Sequence, residues 1–155
     1  MRIAVLNGPN LNLLGTREPA MYGRVTLHEV EARLAVVARE IDVDVECAQR
    51  NGEGELVDLV HALRGRADGA VVNAGAYSHT SLALRDAFVG VGIPFVEVHV
   101  TNVYAREPER RHSMLAPAAM GVIVGMGTAG YELALRGLVA TLRERADRSS
   151  SSTVG

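Results

Sequence analysis

Five short apolar runs, separated by stretches whose apolar residues recur three and four apart, leave this chain few ways to fold. The runs are Arg2–Leu6, Val43–Gln49, Gly69–Asn73, Pro94–His99 and Gly121–Val124. Between the first two, Thr26-Leu-His-Glu29 reads as a capping box opening a helix to about Ile41, with Leu27, Val30, Leu34, Val37 and Ile41 at helical spacing. Further helices are expected over Glu55–Arg64, stopped by Gly65, over Ser81–Val89 and over Thr128–Arg145. Strands that alternate with helices predict an α/β domain whose parallel sheet is covered on both faces. Five strands in this length predict a flavodoxin-like doubly wound sheet of order 2-1-3-4-5. Its site would lie at the carboxyl ends of the strands, at the switch between strands 1 and 3. No repeat or linker interrupts residues 1–146, so a single domain is expected, and Asp147–Gly155, with its serine run, reads as a disordered tail.

Composition removes several classes of function. The chain has 155 residues, 48% of them hydrophobic, enough for one full core. Its formal charge of −2 points to neither a nucleic-acid nor a membrane surface. No stretch approaches the ~20 apolar residues of a membrane span, and no basic start followed by a long apolar run resembles a signal peptide. The single cysteine, Cys47, alternates with Val43 and Val45 and reads as a buried small hydrophobe. With no intrachain disulfide possible, a reducing cytoplasm is the expected location. All 16 basic residues are arginine. Chemistry that needs a lysine side chain, such as a Schiff base or a phosphate-loop lysine, is therefore excluded.

The polar residues gather at the expected strand ends. The first strand runs into Asn7–Arg24, a loop rich in Gly, Pro and Asn, and long for a βα connection of ~2–6 residues. It carries Arg17 and Tyr22, with Pro19 between them. An arginine near a tyrosine favours tyrosinate, a general base; the plain alternative is a mobile surface loop that these residues decorate. The other strand ends carry Asn10, then Asn73 through His79, then Glu97-Val98-His99 followed by Val100 and Thr101. Glu97 and His99 are two apart on a strand, so they share a face, and a carboxylate there can orient an imidazole. Asn10 and Asn73 can orient a bound hydroxyl or water. In the stretch Ala105-Arg-Glu-Pro-Glu-Arg-Arg-His-Ser113, arginines and glutamates alternate, as in a solvated salt-bridged loop. That reading takes in Arg111 and then Arg106, and leaves an arginine here to face an anionic, polyhydroxylated small molecule.

Two motifs mislead. Gly125-Met-Gly-Thr-Ala-Gly130 has the glycine spacing of a dinucleotide site, but no strand follows to complete a βαβ unit or supply an acidic residue for a ribose. Helix entry and close helix–sheet packing account for those glycines. His28-Glu29 lacks the second histidine of a zinc protease, because position 32 is Ala32. Five scattered histidines and one cysteine give no metal-ligand pattern.

Four stretches together, LNGPNLNLLGTREPAMYG, NAGAYSHTSLALRDA, VEVHVTNVYAREPERRHS and GVIVGMGTAGYELAL, resemble the type II 3-dehydroquinate dehydratases. The resemblance runs from Arg2 to about Leu142. It implies a flavodoxin-like fold, a dodecamer built from trimers, and conversion of 3-dehydroquinate to 3-dehydroshikimate and water without cofactor or metal. Tyr22 would be the base, Arg17 would favour its ionised form, and Asn10 would hold a water at the enolate. His99, oriented by Glu97, would be the acid. Asn73, His79 and Arg110 would hold substrate hydroxyls, and the N–H groups from Val100 onward, with the Thr101 hydroxyl, its carboxylate. Asp86 matches a position at the site that a neighbouring subunit can supply.

The resemblance has departures. Thr101 stands where serine is common, Tyr104 where histidine is, and Met114 where tyrosine is. Asn73-Ala74-Gly75 replaces a commoner Asn-Pro-Gly, and Arg50-Asn51-Gly52 replaces Ser-Asn-His, which leaves the role of that loop open. The competing reading is a flavodoxin-like binding or signalling module without catalysis. A flavin module would carry a Ser- and Thr-rich phosphate turn after strand 1. A response regulator would carry acidic residues where Asn7, Asn10 and Asn73 stand.

Overall fold

The computed structural model describes residues 1–16 and 18–151. In chain order the elements are β1 (Arg2–Asn7), α1 (Pro19–Tyr22), α2 (Leu27–Glu40), β2 (Asp44–Gln49), α3 (Glu53–Ala62), β3 (Gly69–Asn73), α4 (Tyr77–Thr80), α5 (Leu82–Val91), β4 (Phe95–His99), β5 (Gly121–Val124) and α6 (Ala129–Ser151). The strands form one parallel sheet in the order β2-β1-β3-β4-β5, as expected. Asn7 pairs in register with Gln49 on one side and Asn73 on the other, so three amides end side by side where the strand order reverses.

Alternation along each strand divides the core into two layers. Ile3, Val5, Val71, Val96 and Val98 pack against α2 and α6, with Leu34, Leu135 and Leu138 closing that side. Ala4, Leu6, Ala70, Val72 and Phe95 pack against α3 and α5, with Leu56, Val60 and Phe88 opposite. Every residue of β3 is buried, as suits the central strand of a sheet covered twice. By the same alternation Glu97 and His99 fall on the Phe95 side, so a carboxylate sits at a core-facing position.

Local chemistry sets the helix limits. The Thr26 side chain accepts from the Glu29 N–H while the Glu29 carboxylate takes the Thr26 N–H, the capping box expected at α2. α3 starts two residues before the expected Glu55, because Glu55 reaches back to the Gly52 N–H at 3.1 Å and draws the intervening turn into the helix. α5 starts after Ser81, whose hydroxyl caps the Leu84 N–H, and runs past Val89 until Gly92 adopts φ 72°. α4, which apolar spacing does not announce, is a single turn inside the β3 loop. α6 continues six residues beyond the expected Arg145 and carries into helix the start of the serine-rich stretch expected to leave the domain at 147. The hydroxyls of Ser149 and Ser150 bond the Ala146 carbonyl and that of Ser151 the Asp147 carbonyl, extending a helix that is already nucleated. Among the described residues no helix is long and apolar enough to cross a membrane.

Candidate active site

A cavity of about 120 Å³ opens at the carboxyl ends of β1, β3 and β4. Two loops meet tightly at its wall, which Pro9 and Gly75 line. A Cβ on Gly8 would run into the Ala74 carbonyl, and one on Gly75, at φ 57°, would lie 3.1 Å from the Pro9 carbonyl oxygen. Both positions need glycine. Beneath them the buried Tyr131 hydroxyl donates to Asn7 Oδ1 at 2.6 Å and accepts from Asn73 Nδ2 at 2.9 Å. Burial, above all, holds the Tyr131 phenol well above its ordinary range, so it stays a neutral donor. Asn73 Oδ1 accepts from the Gly75 N–H, which fixes the amide facing the cavity.

Asn10 lines the cavity in the left-handed conformation, φ 67°, which asparagine tolerates better than most residues. Its N–H donates to Asn51 Oδ1 at 3.0 Å, and Gln49 Nε2 donates to the same oxygen and to the Gly8 carbonyl. The Tyr77 hydroxyl donates to the Asn51 carbonyl. The divergent Arg50–Gly52 loop thus acquires a role through Asn51, as the brace that holds Asn10.

Tyr22 ends the one-turn helix α1 and lies on the cavity wall. Its phenolic oxygen accepts from Arg106 Nη1 at 2.9 Å, and the guanidinium lies 5.8 Å from the ring centroid. Arg106 is therefore no solvated surface arginine: its side chain is 17% exposed and lines the same cavity. Sequence reasoning misses it because alternation with glutamates is the pattern of an exposed loop. Arg17, expected beside Tyr22, lies outside the described residues.

His99, at the end of β4, lines the same cavity. Its Nε2 lies 2.7 Å from Oε1 of Glu97, which is fully buried, as the shared strand face predicts. The Ser113 hydroxyl donates to the same carboxylate, 2.7 Å from Oε1 and 2.9 Å from Oε2. Nothing in the sequence marks Ser113. The His79 ring stacks on His99 with centroids 5.8 Å apart, and its Nδ1 lies 2.8 Å from the His112 carbonyl oxygen.

Val100, Thr101 and Arg110 also line the cavity. Arg110 Nε donates to Glu107 Oε1 at 2.5 Å. The Glu107 carboxyl is held below its ordinary range by its own backbone N–H and then by Arg110, so it stays anionic and steadies that arginine at the rim. Asp86 is not brought to this cavity. It lies on α5 in a separate surface depression with His61 and Arg64. The glycine-rich turn after β5 serves packing: a Cβ on Gly130 would touch Val98 and Ile123 at 3.4 Å, and the N–H groups of Gly125 and Gly127 bond the His99 and Val100 carbonyls. Cys47 is half-buried against the α2–α6 layer. Burial first, then Glu31 and Glu46, push its thiol up to about 12, which makes it a poor nucleophile.

The comparisons with known proteins converge. Residues 1–139 match the family described as Dehydroquinase class II. A protein of Gemmatimonas aurantiaca named 3-dehydroquinate dehydratase is 60% identical over 153 residues, covering 99% of each chain. One of Aspergillus flavus named catabolic 3-dehydroquinase 2 is 54% identical over 134 residues, 86% of this chain and 89% of the relative. The crystal structure of the type II dehydroquinase from Butyrivibrio crossotus superposes with a TM-score of 0.87 at 41% identity, covering 89% of this chain and 97% of that one.

Proposed function

The chain belongs to the class II dehydroquinase family and is a lyase, a 3-dehydroquinate dehydratase, and from that premise we propose that Tyr22 and His99 carry its elimination as base and acid. The Tyr22 phenolate takes a proton from the carbon next to the substrate ketone. The electron pair moves into the ketone and forms an enolate, whose oxygen is met by a water that Asn10 holds. The enolate then re-forms the carbonyl and expels the hydroxyl on the next carbon. His99 gives that hydroxyl a proton, and it departs as water. The product is the conjugated ketone 3-dehydroshikimate.

One observation carries this reading: a phenol held by a guanidinium and an imidazole held by a buried carboxylate line a single cavity. Arg106 puts positive charge beside the oxygen that must become negative, and we assign Arg17 the same task. Asn73, His79 and Arg110 hold the substrate hydroxyls; Val100 and Thr101 take its carboxylate. The test is Tyr22→Phe. It should lower turnover by at least ~10²-fold, the usual scale for acid–base groups, while binding changes far less. A phenylalanine variant that keeps more than a tenth of native turnover removes Tyr22 from the mechanism.

We also assign the enzyme to the cytoplasm and to the shikimate route towards chorismate and the aromatic amino acids. Deletion of its gene should then create a requirement for aromatic amino acids that shikimate relieves. The assembly we propose is a dodecamer of four trimers, in which Asp86 approaches the site of a neighbouring copy. That reading is supported by the separation of Asp86 from its own chain's cavity, and a light-scattering mass tests it.

A further inference from the structure

The donors and acceptors around Glu97 can be counted, and the count fixes the direction of its bond with Ser113. Glu97 is fully buried, so its carboxylate depends on protein donors for its solvation. The Ser113 hydroxyl is one, and His99 Nε2, 2.7 Å away, is a second in its Nε2–H tautomer. The Ser113 oxygen in turn accepts from the backbone N–H groups of Leu115 and Ala116, each at 3.0 Å. A hydroxyl has one hydrogen and two lone pairs. Both lone pairs are engaged by the backbone, so its hydrogen can only go to Glu97.

We propose that Ser113 is a positioning residue for the elimination, which sets through Glu97 the nitrogen that His99 presents to the cavity. The Ser113 hydroxyl can only donate to Glu97, and a donated hydrogen bond favours the carboxylate over the acid. Its Oε1 then requires a hydrogen on His99 Nε2. That leaves Nδ1 as the nitrogen that receives a proton and delivers it to the departing hydroxyl. The stretch bearing Ser113 is pinned on both sides: the His112 carbonyl meets His79 Nδ1, and the Met114 N–H bonds the Ser78 carbonyl at 2.7 Å. His79 is thereby engaged elsewhere and does not compete for Glu97. The proposal rests on His99 as the acid, but the nitrogen assignment rests on the direction of the Ser113 hydrogen bond and the carboxylate form it favours.

Two measurements test it. Imidazole nitrogen resonances of the native protein, recorded where His99 is neutral, should show the Nε2–H tautomer; an Nδ1–H tautomer overturns the proposal. Ser113→Ala should then give a tautomer mixture and lower kcat for dehydration by about 10- to 100-fold, the worth of a hydrogen bond to a charged group, with KM little changed. Exchange of the substrate proton that Tyr22 abstracts should persist, and Ser113→Thr should restore kcat. Equal loss of exchange and dehydration in Ser113→Ala would mean that Ser113 only holds the loop, which also overturns the proposal. Should the alanine variant not fold, the native tautomer and the threonine variant decide it. Full dehydration by His99→Ala would instead count against His99 as acid and leave the tautomer result intact.

Discussion

Replacing Arg106 with glutamine isolates what one charge contributes to the base. The native guanidinium donates to the Tyr22 oxygen from Nη1 at 2.9 Å, and its side chain is only 17% exposed. Two unit charges ~4 Å apart are worth about 4 kcal/mol at an effective dielectric constant of ~20. Glutamine keeps a hydrogen-bond donor and removes the charge, and water entering the vacated space recovers part of the loss. A net loss of about 2–3 kcal/mol then lowers the rate of proton abstraction by about 30- to 150-fold, at a factor of ten per ~1.4 kcal/mol. The assay is exchange of the substrate α-proton with solvent, run beside steady-state dehydration. Both should fall together, because abstraction precedes loss of the hydroxyl. Arg106→Lys should recover part of the rate, since it returns a point charge without the planar fork. If Arg106→Gln keeps exchange and kcat within about threefold of native, the lost charge was worth well under ~1 kcal/mol to the phenolate. Arg106 would then be a packing residue for Tyr22 and no electrostatic support for the base.

Other perturbations separate the remaining parts. His99→Ala should slow dehydration strongly but spare α-proton exchange, because Tyr22 still forms the enolate; isotope exchange measured by NMR checks this. Tyr131→Phe removes the hydroxyl between Asn7 and Asn73, leaving two buried amides short of a partner, and should cost about 2–4 kcal/mol in denaturant unfolding. Cys47 should resist alkylation by iodoacetamide at neutral pH in the folded protein and react once it is unfolded. Its thiol is pushed up to about 12, so it stays protonated until far above neutral pH; intact-protein mass reads the result.

What can be read from the sequence is whatever depends on local periodicity. Short apolar runs mark the five strands, and their order follows from the regular βα succession. The Glu97–His99 pair is legible because two residues on one strand share a face whatever lies beyond them. Arg106 and Ser113 are not legible in that way. Their partners, Tyr22 and Glu97, are 84 and 16 positions away, and only the folded path of residues 100–120, which has no period, brings them together. Asn51 is hidden for the same reason, since it acts from the end of β2 on a loop 41 residues earlier. Helix ends shift where a side chain finds a backbone partner, as Glu55 does at Gly52 and the serines do in α6. Such bonds depend on side-chain reach, which hydrophobic spacing does not encode.

The stretch from Arg106 to Ser113 ties the proposed base on a long loop to the proposed acid on a rigid strand. His99 is fixed by the sheet, but Tyr22 has no strand or long helix behind it; α1 is four residues long. Its phenol is instead held by Arg106, at one end of the stretch, while Ser113 at the other end holds the carboxylate behind His99. Between them Arg111 Nε bonds the Arg106 carbonyl at 2.8 Å, and Glu107 pairs with both Arg106 and Arg110. The alternating charges thus combine a solvated face, with Glu107, Glu109 and Arg111 exposed, and two partly buried arginines, Arg106 and Arg110, that line the cavity. Arginine presents its charge on a planar fork, so one side chain can bond the phenol through Nη1 while its Nε lies 3.5 Å from the Glu107 carboxylate. A lysine at position 106 could supply the charge but not that geometry. On the mechanism proposed above, charge beside the Tyr22 phenol and its placement thus come from the same guanidinium, and a substitution there should move both.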